Sequence, residues 1–552
     1  MDTRGSVVYY PPKVWTDDFM QKQTSVYLGE KYSERAAKLK ENVREMLENV
    51  KKASSDQLEL IDVVQRLGLS YHFNREIQKI LASLHTMMNN NVEQKIEDLC
   101  KTALQFRLLR QEGYQSPKPP PNKSNYIFKS FINEEGKFDM KLCGNTKGML
   151  SLYEASYLTM EDEHILEMAK EFTTHHLKQT LKQAGIDQNM GEQVSHALEM
   201  PLHWRMKRLE TRWFIDVYEK REDKNSTILE LAKLDFNMLQ AMHLNELKQL
   251  SRWHESVNLA ERMDFARSRL VEGFLWSVGF SHEPQFEYCR KISTKSAELI
   301  TVIDDICDIH ATLHEVEIMA DAVKRWDINA LEELPNYTKI CFLALFNYVN
   351  EVVYDILQEQ GINVLPYIKK GWSDLCETYL VEAKWYNNGI TPSLKEYLEN
   401  ALVSISGPLL ILQAYISIAN PIKMEDLQHL LTYPSIIRYP SLILRLTDDL
   451  GTSPDEMARG DTSKSIQCYM QETGRSEDDA HNMMREMVEA TWKKMNKEIL
   501  MDTHFCRDYI QTAMNLARIS QCMYQYGDGY GRPDGVTKDR IKSLFFEPIP
   551  LA

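Results

Sequence analysis

Apolar residues recur at three- and four-residue steps along much of this chain. Leu231, Leu234, Met238 and Met242 follow one another at that spacing with charged residues between them, and Leu58, Val63 and Leu67 do so less strictly. A period near 3.6 predicts amphipathic helices, and strand-like alternation is scarce. Two polar tracts punctuate the pattern. Ser116-Pro117-Lys118-Pro119-Pro120-Pro121-Asn122-Lys123-Ser124-Asn125 reads as a loop, and Glu222-Asp223-Lys224-Asn225-Ser226 as a hinge. The expectation is an all-α protein of two helical domains, residues 1–222 and 223–552, with no internal repeat and no low-complexity tract.

One stretch, Ala401–Ala419, is apolar enough to raise a membrane helix, but Ser404, Ser406, Gly407, Pro408, Gln413 and Ser417 interrupt it. A run of that length with a Gly-Pro break barely crosses a bilayer, so a buried, kinked core helix is expected and no membrane. A net charge of −15 and a pI near 5.6 argue against nucleic acid, whose phosphate backbone needs a basic footprint. Nine cysteines without a CxxC pair fit scattered thiols in a reducing compartment better than a disulfide frame or a zinc site. The segment Met1–Trp15 has neither a signal sequence nor the Ser/Arg-rich, acid-poor character of a transit peptide. As written the chain reads as cytoplasmic, and as plastid-resident if a leader has been trimmed.

The chemistry concentrates in the second half. Asp304-Asp305-Ile306-Cys307-Asp308 follows Leu299-Ile300-Thr301-Val302-Ile303, so three acids stand at the end of an apolar helical run, where one face can turn all three to a cavity. Acids on a buried stripe need cations to offset their repulsion. A second cluster places Asp448, Thr452 and Glu456 at i, i+4 and i+8, with Pro454 expected to bend or end that helix. Oxygen ligands spread over two helices suit Mg²⁺, which keeps its waters and lets substrate phosphates complete its shell. Arg445, one turn before Asp448 and Asp449, fits either an intrahelical salt bridge or a guanidinium reaching a diphosphate. Arg267 and Arg269 read as surface arginines or as forked donors to the same anion. Trp276 reads as a core residue or as a π-face for a cation.

The constellation resembles the plant class I terpene synthases over essentially the whole chain. Besides the two acidic motifs, the chain carries Asp62-Val63-Val64-Gln65-Arg66-Leu67-Gly68, Leu108-Leu109-Arg110-Gln111-Glu112-Gly113-Tyr114, Leu150-Ser151-Leu152-Tyr153-Glu154-Ala155-Ser156, Leu234-Asp235-Phe236-Asn237 and Arg459-Gly460-Asp461-Thr462-Ser463-Lys464-Ser465. Ser404-Ile405-Ser406-Gly407-Pro408 and Tyr526-Gly527-Asp528-Gly529-Tyr530-Gly531 look most like the angiosperm branch that holds monoterpene and isoprene synthases and some sesquiterpene synthases. The resemblance implies a C-terminal class I terpenoid synthase bundle and an N-terminal α-barrel-like domain without an active site. It implies three Mg²⁺, with Mn²⁺ as a substitute, held by Asp304, Asp305 and Asp308 from one wall and by Asp448, Thr452 and Glu456 from the other. Arg267, Arg269 and Arg445 would hold diphosphate, Lys464 would help close a lid, and Trp276 and Tyr530 would line the hydrocarbon pocket. The break at Gly407-Pro408 would aim a carbonyl at the cation or serve only packing. No DxDD sequence occurs, so protonation-initiated cyclisation is not expected.

The implied reaction is Mg²⁺-dependent ionisation of a prenyl diphosphate with release of diphosphate, by a monomer or weak homodimer. Geranyl diphosphate is favoured, and a cytosolic sesquiterpene synthase using farnesyl diphosphate is the alternative. Cyclising members usually carry tandem arginines ten and nine residues before the N-terminal tryptophan; before Trp15 those places hold Gly5 and Ser6, with only Arg4 nearby, which favours an acyclic product such as linalool. Cys307 stands where tyrosine is common, and His254 where a second tryptophan often stands. A chain-elongating prenyltransferase should repeat DDxxD in its second cluster, and this chain has Thr452 and Glu456 instead. A non-catalytic helical scaffold would release no diphosphate.

Overall fold

The structure, a computed structural model, describes residues 13–50, 54–90, 98–114, 126–183, 185–459, 463–502, 504–533 and 535–551. Among these the regular structure is helical apart from one isolated bridge between Ile132 and Phe138. The chain divides into two compact units, and each gathers separate stretches of sequence. One takes the described residues of Met1–Thr24, Met242–Trp492 and His504–Phe546; the other takes those of Ser25–Ala241, Lys493–Thr503 and Glu547–Ala552. The proline-rich tract at 116–125 lies outside the described residues. The polar tract at 222–225 is a turn, and the long helix that follows it, Ser226–Val257, contains the point at which the division falls.

In the unit built around Ser25–Ala241, helices start where the sequence supplies an oxygen to cap them. Ser54, Asp98, Asn145 and Asp187 each accept a backbone N–H of the first turn through their side chains. Their apolar faces bury Ile61, Leu108, Leu152 and Val194 almost completely. Buried charge here is neutralised internally: Glu210 is bridged by Arg66 at 2.8 Å and by His196 at 2.7 Å. Burial alone would raise the Glu210 carboxyl, but these neighbours and Arg205 outweigh it and hold it at about 2.

The other unit is a helical bundle. Its N-terminal part contributes α1 (Asp17–Lys22), and of the long helix α2 (Ser226–Val257) it takes the portion from Met242 onward. The bundle itself comprises α3 (Leu270–Phe280), α4 (Glu287–Asp305), α5 (Leu394–Ser404), α6 (Gly407–Ile418), α7 (Ser435–Arg459) and α8 (Arg507–Met523). Five of these close a ring, with α3 packed on α4, α4 on α6, α6 on α7, α7 on α8 and α8 back on α3. α3 is apolar on every side except at Glu272 and Ser277 and is buried nearly throughout, as expected for a helix inside a bundle. Gly279 lets α3 approach α8, since a Cβ there would lie 2.6 Å from Ile519. The two ends of this unit meet as well: the Trp15 ring lies 5.3 Å from that of Phe546.

The Ala401–Ala419 segment differs from the single kinked helix expected of it. It is two helices, α5 and α6, separated at Ile405 and Ser406, with Ser406 in the left-handed region at φ 66° and Pro408 in the first turn of α6. Proline is favoured in a first turn, where its missing N–H would have no partner in any case, so the sequence restarts the helix at Gly407 rather than bending it. By length and composition Asn336–Gln360 and Leu394–Ile418 could each span a bilayer, yet 72% of the apolar window in the second is buried inside the protein. Gly407 is required by close packing, because a Cβ there would lie 2.4 Å from Ser441 Oγ and 3.1 Å from Ser441 Cα. Gly407→Ala is therefore expected to cost about 1–3 kcal/mol of stability, read as a lowered thermal midpoint. Adding Ser441→Ala should recover only part of the loss, since the Cα remains in the way.

Candidate active site

The ring of helices encloses a cavity whose polar end is made by two acidic walls. On the first wall α4 reaches Asp305 and continues as a π-helical turn over Ile306–His310. Asp304 and Asp308 line the cavity. Asp305 does not, which corrects the expectation that all three acids face it. Successive helical residues point about 100° apart, so the neighbour of a cavity-facing residue turns toward the adjoining segment. There Asp305, 1% exposed, accepts the backbone N–H of Arg267 at 2.6 Å and pairs with its guanidinium at 2.8 Å. The same guanidinium reaches Asp304 at 2.6 Å. Burial lifts the Asp305 carboxyl to about 6, Arg267 opposing the rise and Asp304 adding to it.

Arg267 lines the cavity between these acids, whereas Arg269 does not. Arg269 immediately precedes α3, is almost fully buried, and donates to the carbonyls of Gly531 at 2.8 Å and Ser268 at 3.0 Å. The alternation of the two arginines thus separates them, one toward the cavity and one toward the loop around Gly531.

The second wall is α7, which runs through Pro454 to Arg459 without the break expected there. Arg445, Asp448 and Thr452 line the cavity, as does Lys464 from beyond the helix. Arg445 is ion-paired with Asp448 and, at 2.6 Å, with Asp449, so the intrahelical bridge and the cavity-facing guanidinium are one arrangement. Burial raises the Asp448 carboxyl against the pull of Arg445. Asp449 is fully buried on the far side, accepting from Tyr397 Oη at 2.9 Å and from the Ser465 N–H at 3.1 Å. The side chain of Glu456 lies outside the described residues.

Below the acids the cavity is apolar and aromatic. Trp276, Phe280, Ile300, Leu410, Leu444 and Leu516 line it, and the α5–α6 break borders it through Ser404, Ile405 and Ser406. Tyr530 lines it too, its hydroxyl 2.8 Å from Thr301 Oγ1. Sequence reasoning missed Tyr379, Tyr524 and Asp528, which also face the cavity. Asp528 had a usable signal: its carboxylate accepts the N–H groups of Tyr530 and Gly531, the turn chemistry that Asp-Gly-Tyr-Gly announces. Tyr379 had none, sitting in the unremarkable helix Leu365–Asn387.

The donor set fits hard divalent cations. Every candidate ligand offers oxygen, and among the described residues no three His, Cys, Asp or Glu side chains converge on one point as a closed protein cage would require. Carboxylates divided between facing walls suit ions that share their shells with water and substrate phosphates. All nine cysteines are free, six of them buried, and none belongs to a cluster of three candidate ligands.

An all-helical bundle with oxygen ligands over an apolar chamber defines a class, and comparison gives it a family. Residues 255–494 match the metal-binding domain of the terpene synthase family, and residues 14–198 match the terpene synthase N-terminal domain. The chain is 53% identical to a (-)-alpha-terpineol synthase of Vitis vinifera, over 98% of this chain and 90% of that one. Among solved structures, limonene synthase with 2-fluorolinalyl diphosphate superposes with a TM-score of 0.94 at 40% identity, covering 98% of this chain and 99% of the other. Isoprene synthase of grey poplar (Populus x canescens), in complex with three Mg²⁺ and dimethylallyl-S-thiolodiphosphate, gives a TM-score of 0.87 at 43% identity, covering 98% and 99%. This chain belongs to the terpene synthase family. It is a metal-dependent lyase that ionises a prenyl diphosphate and releases diphosphate to give a terpene.

Proposed function

We propose that the enzyme acts on geranyl diphosphate with three Mg²⁺, held by Asp304 of α4 and Asp308 of the π-helical turn that continues it, and by Asp448, Thr452 and Glu456 from α7. The observation that carries this reading is the pair of acidic walls, each joined to an arginine, over one apolar aromatic cavity. Bound Mg²⁺ supplies Lewis acidity toward the diphosphate oxygens, and Mn²⁺ is expected to substitute. Arg267, Arg445 and Lys464 neutralise the negative charge that grows on the leaving group as the C–O bond breaks. Asp305 and Arg269 stand one step back: Asp305 holds Arg267, and Arg269 holds the Gly531 loop. Trp276, Tyr524 and Tyr530 turn aromatic surface to the allylic cation, and the aliphatic lining excludes the water that would quench it early.

The product assigned to this cavity is a monoterpene, with an acyclic alcohol such as linalool as the first candidate; farnesyl diphosphate is the competing substrate. Gly5 and Ser6, on which the acyclic reading rests, lie outside the described residues. The test is to supply geranyl and farnesyl diphosphates separately with Mg²⁺ and identify the volatiles. Faster diphosphate release from the shorter substrate, abolished by chelation, is the expected result; a preference for the longer one assigns sesquiterpene synthesis instead. Longer prenyl chains formed when isopentenyl diphosphate is added would identify an elongating enzyme.

A further inference from the structure

Behind the first acidic wall lies a second, small cavity, lined among others by Trp253, His254, Arg267, Ser268, Glu298 and Val302. Arg267 faces both this space and the active-site cavity. Glu298 lies on α4, is 4% exposed, and directs Oε2 to His254 Nε2 at 3.4 Å while its buried Oε1 has no hydrogen-bond partner. The same His254 nitrogen lies 3.1 Å from Ser268 Oγ. Ser268 is covalently next to Arg267, whose backbone N–H and guanidinium hold Asp305 and Asp304. A buried carboxylate with an unsatisfied oxygen is costly, and its presence where no diphosphate or metal ligand is needed calls for a purpose.

We propose that His254 and Glu298 form a buried pair that fixes Ser268 and thereby aims Arg267 at the diphosphate end of the cavity. Both are positioning residues, since neither lines the cavity itself, and the inference rests on the function proposed above. Its strength is geometric. One imidazole nitrogen is shared between the carboxylate of α4 and the hydroxyl beside Arg267, so movement of either shifts the guanidinium. The charged groups facing His254 are Glu298 from α4, Arg267 across the small cavity, and Asp17 and Lys13 from the N-terminal segment, where Asp17 accepts from Ser251 Oγ at 2.7 Å. Burial disfavours the imidazolium, but Glu298 and then Asp17 outweigh it, so His254 titrates above the ordinary imidazole range. A raised value means that the ion pair is complete below about pH 6.5 and is lost as pH climbs through that raised value.

The experiment compares wild type with His254→Gln, Glu298→Gln and Ser268→Ala on geranyl diphosphate and Mg²⁺, with thermal midpoints measured alongside. Each variant is expected to raise KM about tenfold with kcat changed less than about twofold, because a displaced clamp weakens substrate positioning. The ratio of wild-type to variant kcat/KM should fall toward one at alkaline pH for His254→Gln and Glu298→Gln, the pair being already broken there in the wild type. The double variant His254→Gln/Glu298→Gln, with two amides able to bond one another, should recover part of the KM loss. An unchanged KM in Ser268→Ala, or a ratio independent of pH in both charge variants, overturns the proposal. Should Glu298→Gln fail to fold, Ser268→Ala decides, since it removes one hydroxyl only. Should the wild type release no diphosphate, the function proposed above fails separately. Calorimetric binding of inorganic diphosphate with Mg²⁺ to wild type and Ser268→Ala then replaces KM, and equal affinities overturn the positioning role.

Discussion

Asp304→Ala and Asp308→Ala are each expected to lower the rate of diphosphate release by roughly 10²–10³-fold, the scale of losing one preorganised electrostatic contact at a reacting centre. Both carboxylates line the cavity, so each loss should also raise the Mg²⁺ concentration needed for half-maximal rate. Asp305→Ala separates the roles. Asp305 is turned away from the cavity and bonded to Arg267, so its removal should raise KM for the prenyl diphosphate while leaving the Mg²⁺ dependence near that of the wild type. A Mg²⁺ titration of diphosphate release for the three variants reads this directly. Equal shifts in Mg²⁺ dependence for all three would mean that Asp305 also meets the metal.

Arg267→Ala is expected to damage stability and turnover together. It strips the partner from Asp305, which is 1% exposed, and breaking one side of a buried pair costs about 3–5 kcal/mol. The pH dependence has a definite sign. Asp305 already titrates at about 6 because burial outweighs Arg267; without the guanidinium it should titrate higher still. A carboxyl raised above its unfolded value favours folding in the protonated form, so the variant's deficit should be small below the unfolded value near 4 and grow as pH rises through the raised one. Thermal midpoints of wild type and variant at pH 4.5 and 7.5 test this, with the gap expected to widen at the higher pH. Arg267→Lys should restore part of the stability, since one ammonium can meet one carboxylate but cannot fork across Asp304 and Asp305 as the guanidinium does.

Much of the fold was readable because it rests on periodicity. The apolar steps through Leu231, Leu234 and Met238 become a helix that buries the two leucines and half-buries Met238. The walls were readable because the motifs are local: Asp304 with Asp308, and Asp448 with Thr452, each keep an i, i+4 spacing that one helix face preserves. What escaped is set by direction and by distance along the chain. Spacing alone does not say on which side of α4 the cavity lies, so Asp305 and Arg269 were counted among its lining residues when neighbours hold them elsewhere. Pro454 was given its usual helix-breaking weight, yet α7 runs past it. Tyr379, inside the helix Leu365–Asn387, and Tyr524, just past the end of α8, stand 145 residues apart in sequence, and only the three-dimensional ring places them together.

The contact of Trp15 with Phe546 has a consequence for how the enzyme is made. The two rings come from stretches of one compact unit that lie 531 residues apart in sequence, so a ribosome must release the stretch between them before the bundle can close. Until then α3 and α6, the most apolar helices of that bundle, wait without their last neighbour α8. Nascent chains should therefore lean on chaperones through most of translation, and a late nonsense codon should yield insoluble protein rather than a shortened catalyst.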